Sequence, residues 1–244
     1  MPATLAQKST PDEIRARFDA DVDRFSRLDT GQQSTMDAPV VLELLRDLGR
    51  AWLVAGANIL DLGCGAGNYT LTLLQAVNPL HCTLVDLSAP MLARARERVG
   101  AANRAGGTAR TVQGDMRDVD LATGRFELIV TGAALHHLRG EDDWRRMFAR
   151  LASWLRPGGM LFVSDFVACD DPAAQGVLWA NYARHLEKVG GADYRDKVFA
   201  YVEREDSPRS LPFQFSLLQE AGFAAPDVLH RHSVFATYFT RKTA

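Results

Sequence analysis

Apolar positions follow two rhythms along this chain. Over 13–28, Ile14, Phe18, Val22, Phe25 and Leu28 recur at intervals of 4, 4, 3 and 3. That is the spacing of one helix face, and it predicts one amphipathic helix or two short ones. Val40, Val41, Leu44, Leu45, Leu48 and Trp52 form a second helical stripe, with Pro39 placed where a helix can start. LDTGQQSTMDAP (28–39) between them is turn-rich and reads as a loop. From 58 onward, short β-rich runs take over: NILDLG (58–63), HCTLVDL (81–87), RTVQGD (110–115), FELIVTG (126–132) and MLFVSDF (160–166). Helical segments separate them at 68–77, from Ser88 to about Val99, and at 141–155, where RPGG stops the helix. The alternation predicts a parallel α/β sheet.

Asp171-Pro172 opens another helix, with Val177, Leu178, Tyr182, Leu186 and Val189 on one side, and Gly190-Gly191 ends it. Residues 192–209 are charged and carry few apolar anchors. Ser210 and Pro212 open a helix ending at Gly222, and PDVLHRHS (226–233) with VFATYFTRK (234–242) reads as a closing pair of strands. The expected organisation is a single domain over 1–244: an N-terminal helical cap (13–54), a core (55–166), a helical insertion or lid (167–209), and a C-terminal helix and hairpin (210–244).

Composition narrows the partners. With 47% hydrophobic residues among 244 the chain is not disordered. Lys plus Arg is 28 against 30 Asp plus Glu, a net charge of −2, which disfavours a broad basic surface for DNA and leaves RNA open only through a local patch. Cys64, Cys82 and Cys169 are too scattered for a disulfide framework or structural zinc. No apolar run approaches the length of a membrane span, and the first residues lack the apolar core of a secretory signal. The expectation is a cytoplasmic protein, monomeric or homodimeric.

The chemistry concentrates at ILDLGCGAGN (59–68). An apolar strand runs into Gly63, Gly65 and Gly67, and a helix follows. Such a loop admits a ligand close to the backbone and presents N–H groups at a helix start. A dinucleotide site wants Gly-x-Gly-x-x-Gly, and here Asn68 stands where the last glycine belongs. Asp61 inside the strand end suits a cationic ligand better than a pyrophosphate. Asp86 ends the second strand, where a carboxylate can accept from ribose hydroxyls. Asp115 ends the third, in reach of an adenine amino group. Any one of these acids reads equally well as a helix cap. Three at one sheet edge, in register with a glycine loop, point to a nucleoside.

ILDLGCGAGNYT, LVDLSAPML, VQGDMRD, FELIVTGAALHHL and WLRPGGMLFVSDF, in that order over 55–166, resemble the class I S-adenosylmethionine (SAM)-dependent methyltransferases. The resemblance implies a Rossmann-like fold: a seven-stranded, mostly parallel sheet with helices on both faces and a C-terminal antiparallel hairpin. It implies SAM as cofactor, with S-adenosylhomocysteine (SAH) as product. By the same resemblance Asp61 and the Gly63, Cys64, Gly65, Gly67 loop contact the methionine part. Asp86 holds the ribose, Leu87 and Met91 flank the adenine, Asp115 and Met116 meet its edge and face, and Thr131 and Gly132 line the sulfonium side. The N-terminus, the segment after strand five and VFATYFTRK are similar to the carboxy-SAM synthase branch, which uses SAM and prephenate; Arg195, Arg204 and Arg209 are its candidates for holding the extra carboxylate.

Methyl transfer needs positioning more than acid or base. TGAALHHL lacks the Asn/Asp-Pro-Pro-Tyr signature of enzymes that methylate amino groups of bases or glutamine, which favours a small-molecule acceptor. His136 is the candidate general base, against the reading that LHHL simply packs the strand. Adjacent histidines cannot form an i, i+4 metal pair, so no metal is expected. Phe18, Phe25, Trp179, Tyr182, His185 and Tyr194 are candidates for an aromatic wall around the acceptor, and Arg184, Arg195 and Arg204 for binding a carboxylate. Asp29, Thr30 and Gln32 are candidates to reach the cofactor. A SAM- or SAH-binding protein without turnover is the alternative from another class.

Overall fold

The computed structural model describes residues 7–27 and 33–243, so Asp29, Thr30 and Gln32 lie outside the described residues. Five strands, β1 (Asn58–Leu62), β2 (His81–Asp86), β3 (Thr108–Gln113), β4 (Phe126–Gly132) and β5 (Leu155–Phe166), pair in parallel. β7 (Phe235–Arg241) runs antiparallel to β5, and β6 (Asp227–His232) closes the edge antiparallel to β7. The order is β3-β2-β1-β4-β5-β7-β6. Strand order reverses between β1 and β4, the place where open α/β sheets bind ligands beyond the carboxyl ends of their strands.

Side-chain alternation along the strands builds two cores. Leu60, Leu62, Ile129, Leu161 and Val163 face helices α6 (Glu141–Trp154) and α8 (Leu211–Glu220), with Trp144, Phe148 and Leu218 completing that layer. Ile59, Leu84, Leu128, Val130 and Phe162 face the opposite helices, α3 (Ala38–Trp52), α4 (Asn68–Ala76) and α5 (Ala89–Ala102), through Leu45, Leu73 and Val99. Ser88 caps α5, its hydroxyl accepting from the Met91 amide. The 13–28 segment forms two short helices: α1 (Pro11–Asp19), started by a Thr10–Glu13 capping box, and α2 (Val22–Ser26).

One boundary differs from the reading of the sequence, and one segment gains a helix. RPGG does not follow a helix as a free turn. α6 ends at Trp154, and Leu155 already pairs with Phe126; a slip in register between Phe126 and Leu128 absorbs the Pro-Gly-Gly inside β5. Gly190-Gly191 ends the first helix as read, both residues standing outside helical φ/ψ, and a second helix follows directly across the kink. α7 runs Pro172–Glu205, with Gly191 at φ +79 supplying a left-handed residue that a side chain would strain. Beyond the bend, Tyr194, Val198 and Val202 stand four apart and pack with Met36, Phe166, Tyr182 and Leu186 in a third cluster over the carboxyl end of β5. Among the described residues no helix is long and apolar enough to cross a membrane.

Candidate functional site

A cavity of about 550 Å³ opens at the carboxyl ends of β1 to β5, a volume in the range of small-ligand sites. Its floor is the sheet edge. Its cover is α1, α2 and the second half of α7, through Phe18, Phe25, Tyr194, Tyr201 and Val202. Gly63, Cys64, Gly65, Asp86, Leu87, Met91, Asp115, Met116, Gly132 and His136 all line it. Asp61, Gly67 and Thr131 do not.

Pleating separates Asp61 from the cavity. It shares the face of Ile59 and turns toward α4, where its Oδ2 accepts from the Thr70 hydroxyl (2.7 Å) and amide (3.2 Å). Burial raises its pKa to about 7 against the lowering effect of those bonds. Gly67 starts α4 at φ +85, and a Cβ there would stand 3.2 Å from Val99 of α5. Its absent side chain serves helix packing. Thr131 is fully buried, its hydroxyl without a partner among the described residues.

The glycine loop uses four of its amides internally. Gly63 and Cys64 both donate to the Val85 carbonyl (2.9 Å each), Gly67 to the Cys64 carbonyl (2.8 Å), and Gly65 to Asp86 Oδ2 (2.8 Å). What the glycines provide is room. Gly65 lines the cavity at φ +49 with open space where a Cβ would stand. Gly132 is required by Tyr69, whose ring carbon lies 2.5 Å from the position of a Cβ. Asp86 also accepts from the Ser88 amide through Oδ1 (2.9 Å). Each oxygen keeps a lone pair for a ligand in the cavity. Burial pushes its pKa up, opposed by those backbone bonds. Asp115 is held by Arg117, Nη2 to Oδ2 at 2.5 Å and Nε to Oδ1 at 2.9 Å, which offsets burial and keeps its pKa low.

The opposite end of the cavity carries a charged cluster that spacing alone did not announce. Leu135–His137 forms one 3₁₀ turn. Asp165, at the end of β5, accepts from the Leu135 amide (2.7 Å), the His136 amide (3.2 Å) and His136 Nδ1. Asp206, just past α7, lies 3.6 Å from His136 Nε2 and 3.3 Å from His137 Nδ1. Burial alone would lower the His136 pKa, but Asp165 and Asp206 outweigh it and push it to about 9. His136 thus stands at the cavity with Nδ1 on Asp165 and Nε2 toward Asp206. Glu205, almost fully buried, is gripped by Arg17 of α1, with Nη2 to Oε2 at 2.5 Å. Asp165 was within reach of the sequence: it is a fourth acid at the same sheet edge as Asp61, Asp86 and Asp115.

The aromatic wall is partly as expected. Phe18, Phe25, Tyr182 and Tyr194 line the cavity. Trp179 packs against Phe166 and Phe199, and His185 meets the Gln33 carbonyl instead. None of Arg184, Arg195, Arg204 and Arg209 lines it. Arg195 pairs with Glu187 and Asp196, Arg204 with Glu205, Arg184 with Asn181, and Arg209 lies over Phe213. Arg184 and Arg204 are exposed on α7, and Arg195 is drawn to its own helix's acids. The cations at the cavity are Lys8, Arg17, Arg24, Arg117, Arg139 and Lys197.

A family model described as a methyltransferase domain matches residues 59–159. The chain is 31% identical over 207 residues to a carboxy-S-adenosyl-L-methionine synthase of Chromohalobacter salexigens, covering 84% of this chain and 75% of that protein. It is 36% identical over 135 residues to a trans-aconitate 2-methyltransferase of Deinococcus radiodurans, covering 55% of this chain and 47% of that one. Among solved structures, the DhpI–SAH complex superposes with a TM-score of 0.64 at 19% identity, over 96% of this chain and 97% of the other. An O-methyltransferase family protein from Burkholderia thailandensis gives a TM-score of 0.66 at 18% identity, over 100% and 65%. At such identities the structures attest the fold.

Proposed function

We propose, for an enzyme that belongs to the class I SAM-dependent methyltransferase family, that it transfers the methyl group of SAM to a small acceptor enclosed beneath α1, α2 and α7. Membership of the family implies SAM as the cofactor. The single observation that carries the reading is Asp86: a carboxylate held by two backbone amides, facing a covered cavity beside a glycine with no side chain in the way. Those features fit a ribose diol and its neighbouring chain.

SAM supplies a methyl carbon on a sulfonium, which leaves as a neutral thioether. The protein's part is to hold and orient. Asp86 takes the ribose, Leu87 and Met91 the adenine faces, Asp115 and Met116 the adenine edge, and Gly63, Cys64, Gly65 and Gly132 admit the methionine portion. Asp61, Gly67 and Thr131 shape these elements from behind. His136 belongs to the acceptor side as a group that holds and orients. Residues 1–244 act as one domain, with α1, α2 and the second half of α7 as cover. A covered chamber with Phe18, Phe25, Tyr182 and Tyr194 in its wall suits a small molecule better than a polymer.

The test is a calorimetric titration of nucleoside-free protein with SAM. Wild type should bind at micromolar level or tighter. Asp86→Asn, by removing charge-assisted bonds of about 1.5–3 kcal/mol each, should weaken binding at least about tenfold with unchanged circular dichroism. Folded wild-type protein that does not bind SAM would sink the reading. Turnover on an acceptor panel separates it from a SAM-binding protein without activity. The Chromohalobacter relative supports a second reading, carboxy-SAM synthesis; incubation with SAM and prephenate should then yield a carboxylated nucleoside, and unchanged SAM would reject it.

A further inference from the structure

We propose that His136, His137 and Asp206 form a site for one divalent transition-metal cation of the zinc class, its open coordination position facing the acceptor half of the cavity. Three donors converge there, His136 Nε2, a ring nitrogen of His137 and a carboxylate oxygen of Asp206, with all ligand atoms within 4.8 Å of one another. The separations of 3.3 and 3.6 Å from Asp206 Oδ1 exceed a good N–H···O bond of about 2.7–3.2 Å. Two ligands on a tetrahedral cation with bonds of about 2.0–2.2 Å stand roughly 3.3–3.6 Å apart, which is the spacing of both Asp206 pairs. His137 Nδ1 also lies 3.4 Å from the Glu205 carbonyl, which the cation would replace as its partner.

The surroundings match such a site. His136 turns its other nitrogen, Nδ1, to Asp165, and Asp165 is fixed by two backbone amides. A carboxylate behind a ligating imidazole sets its orientation and tautomer. Asp206 is the residue after the last turn of α7, where the helix dipole favours positive charge. All three ligands line the cavity. Three cations stand near. Arg17 is neutralised by Glu205, while Lys8 donates to the Glu203 and Asp206 carbonyls and Arg139 to that of Glu205. Their charge argues for micromolar rather than nanomolar affinity. Two imidazoles and one carboxylate suit zinc, cobalt or iron(II) over magnesium or calcium. A three-ligand site leaves one position for an acceptor oxygen or nitrogen. That role rests on the methyl-transfer reading; the metal site itself does not.

The experiment titrates metal-stripped full-length protein with zinc chloride and, separately, cobalt chloride, with a parallel SAM titration. Variants are His137→Ala, Asp206→Asn and His232→Ala, the last because His230 and His232 share Asp37 in a second histidine–carboxylate cluster. Wild type and His232→Ala should bind one equivalent of zinc, with visible absorption of a four-coordinate cobalt site. His137→Ala and Asp206→Asn should bind it at least tenfold more weakly while retaining native circular dichroism. If wild type binds no zinc, or the equivalent is lost in His232→Ala and kept in His137→Ala, the site is wrong. SAM binding without zinc binding rejects the metal site alone, and zinc binding without SAM binding rejects the methyl-transfer reading alone.

Discussion

Asp61 illustrates how much one residue's orientation decides. Its place at the end of an apolar strand beside a glycine loop suggested an acid presented to a cationic ligand. The strand's two-residue period turns it instead into the layer beneath α4, onto Thr70. There its pKa is raised to about 7, from about 3.9 in an unfolded chain. A raised acid binds a proton in the folded state that the unfolded state has released. Its stabilising contribution is complete below about pH 4 and lost as pH passes about 7. The shift corresponds to a loss on the order of 4 kcal/mol between those limits. Asp61→Asn keeps an acceptor for the Thr70 amide without a charge. The variant's melting temperature should match wild type at or below about pH 4 and exceed it by several degrees at about pH 8. A difference between the two proteins that does not grow with pH would mean that Asp61 is ionised at little cost.

At the scale of elements, the cover depends on a pairing between distant segments. α1 meets the end of α7 through Arg17 and Glu205, with the Arg17 guanidinium also over the Phe18 and Tyr201 rings. Arg17→Ala leaves the buried Glu205 carboxylate with Arg204 Nη2 at 3.3 Å as its remaining side-chain partner, so the penalty lies below the value of about 3–5 kcal/mol for a fully unpaired buried charge. The penalty falls on docking of the cap, because the sheet cores are untouched. Arg17→Ala should therefore speed proteolysis within 9–26 and weaken SAM binding, and Arg17→Ala/Glu205→Ala should recover part of the loss. Equal proteolysis rates in wild type and the single variant would show that α1 is held by its apolar contacts alone. The helical stripe of α1 and α2 was legible from spacing. The second helix beyond Gly191 was not, because the charged residues there conceal Tyr194, Val198 and Val202.

For the whole molecule, a ligand enclosed between sheet and cover must couple binding to stability. SAM at about 100 times its dissociation constant should add about 2.7 kcal/mol and raise the melting temperature by roughly 5–11 °C. If the cover closes over the ligand, amide exchange should slow across 9–26 and 192–206 as well as in the glycine loop. Slowing confined to 63–68 and 86–91 would mean that binding uses the sheet edge while the cover stays open. Addition of SAM to Arg17→Ala should give a smaller shift than to wild type.

The local sequence determined the elements and the cofactor edge of the site. Period-two apolar runs, helix caps and a glycine turn are properties of short windows, and Gly63, Gly65, Asp86 and Asp115 could be read because they lie at or just past the carboxyl ends of β1, β2 and β3. Only the tertiary structure decided which side chains meet. Asp206 is far along the chain from His136 and His137, and the bend at Gly191 with the packing of α7 brings it to them. Adjacent histidines lack helical metal spacing, yet a third ligand from another element supplies what spacing could not. The pKa of His136 follows from the same convergence, since Asp165 and Asp206 reach it from two elements. Burial and charge pairing are sums over neighbours in space, and no window of sequence contains those neighbours.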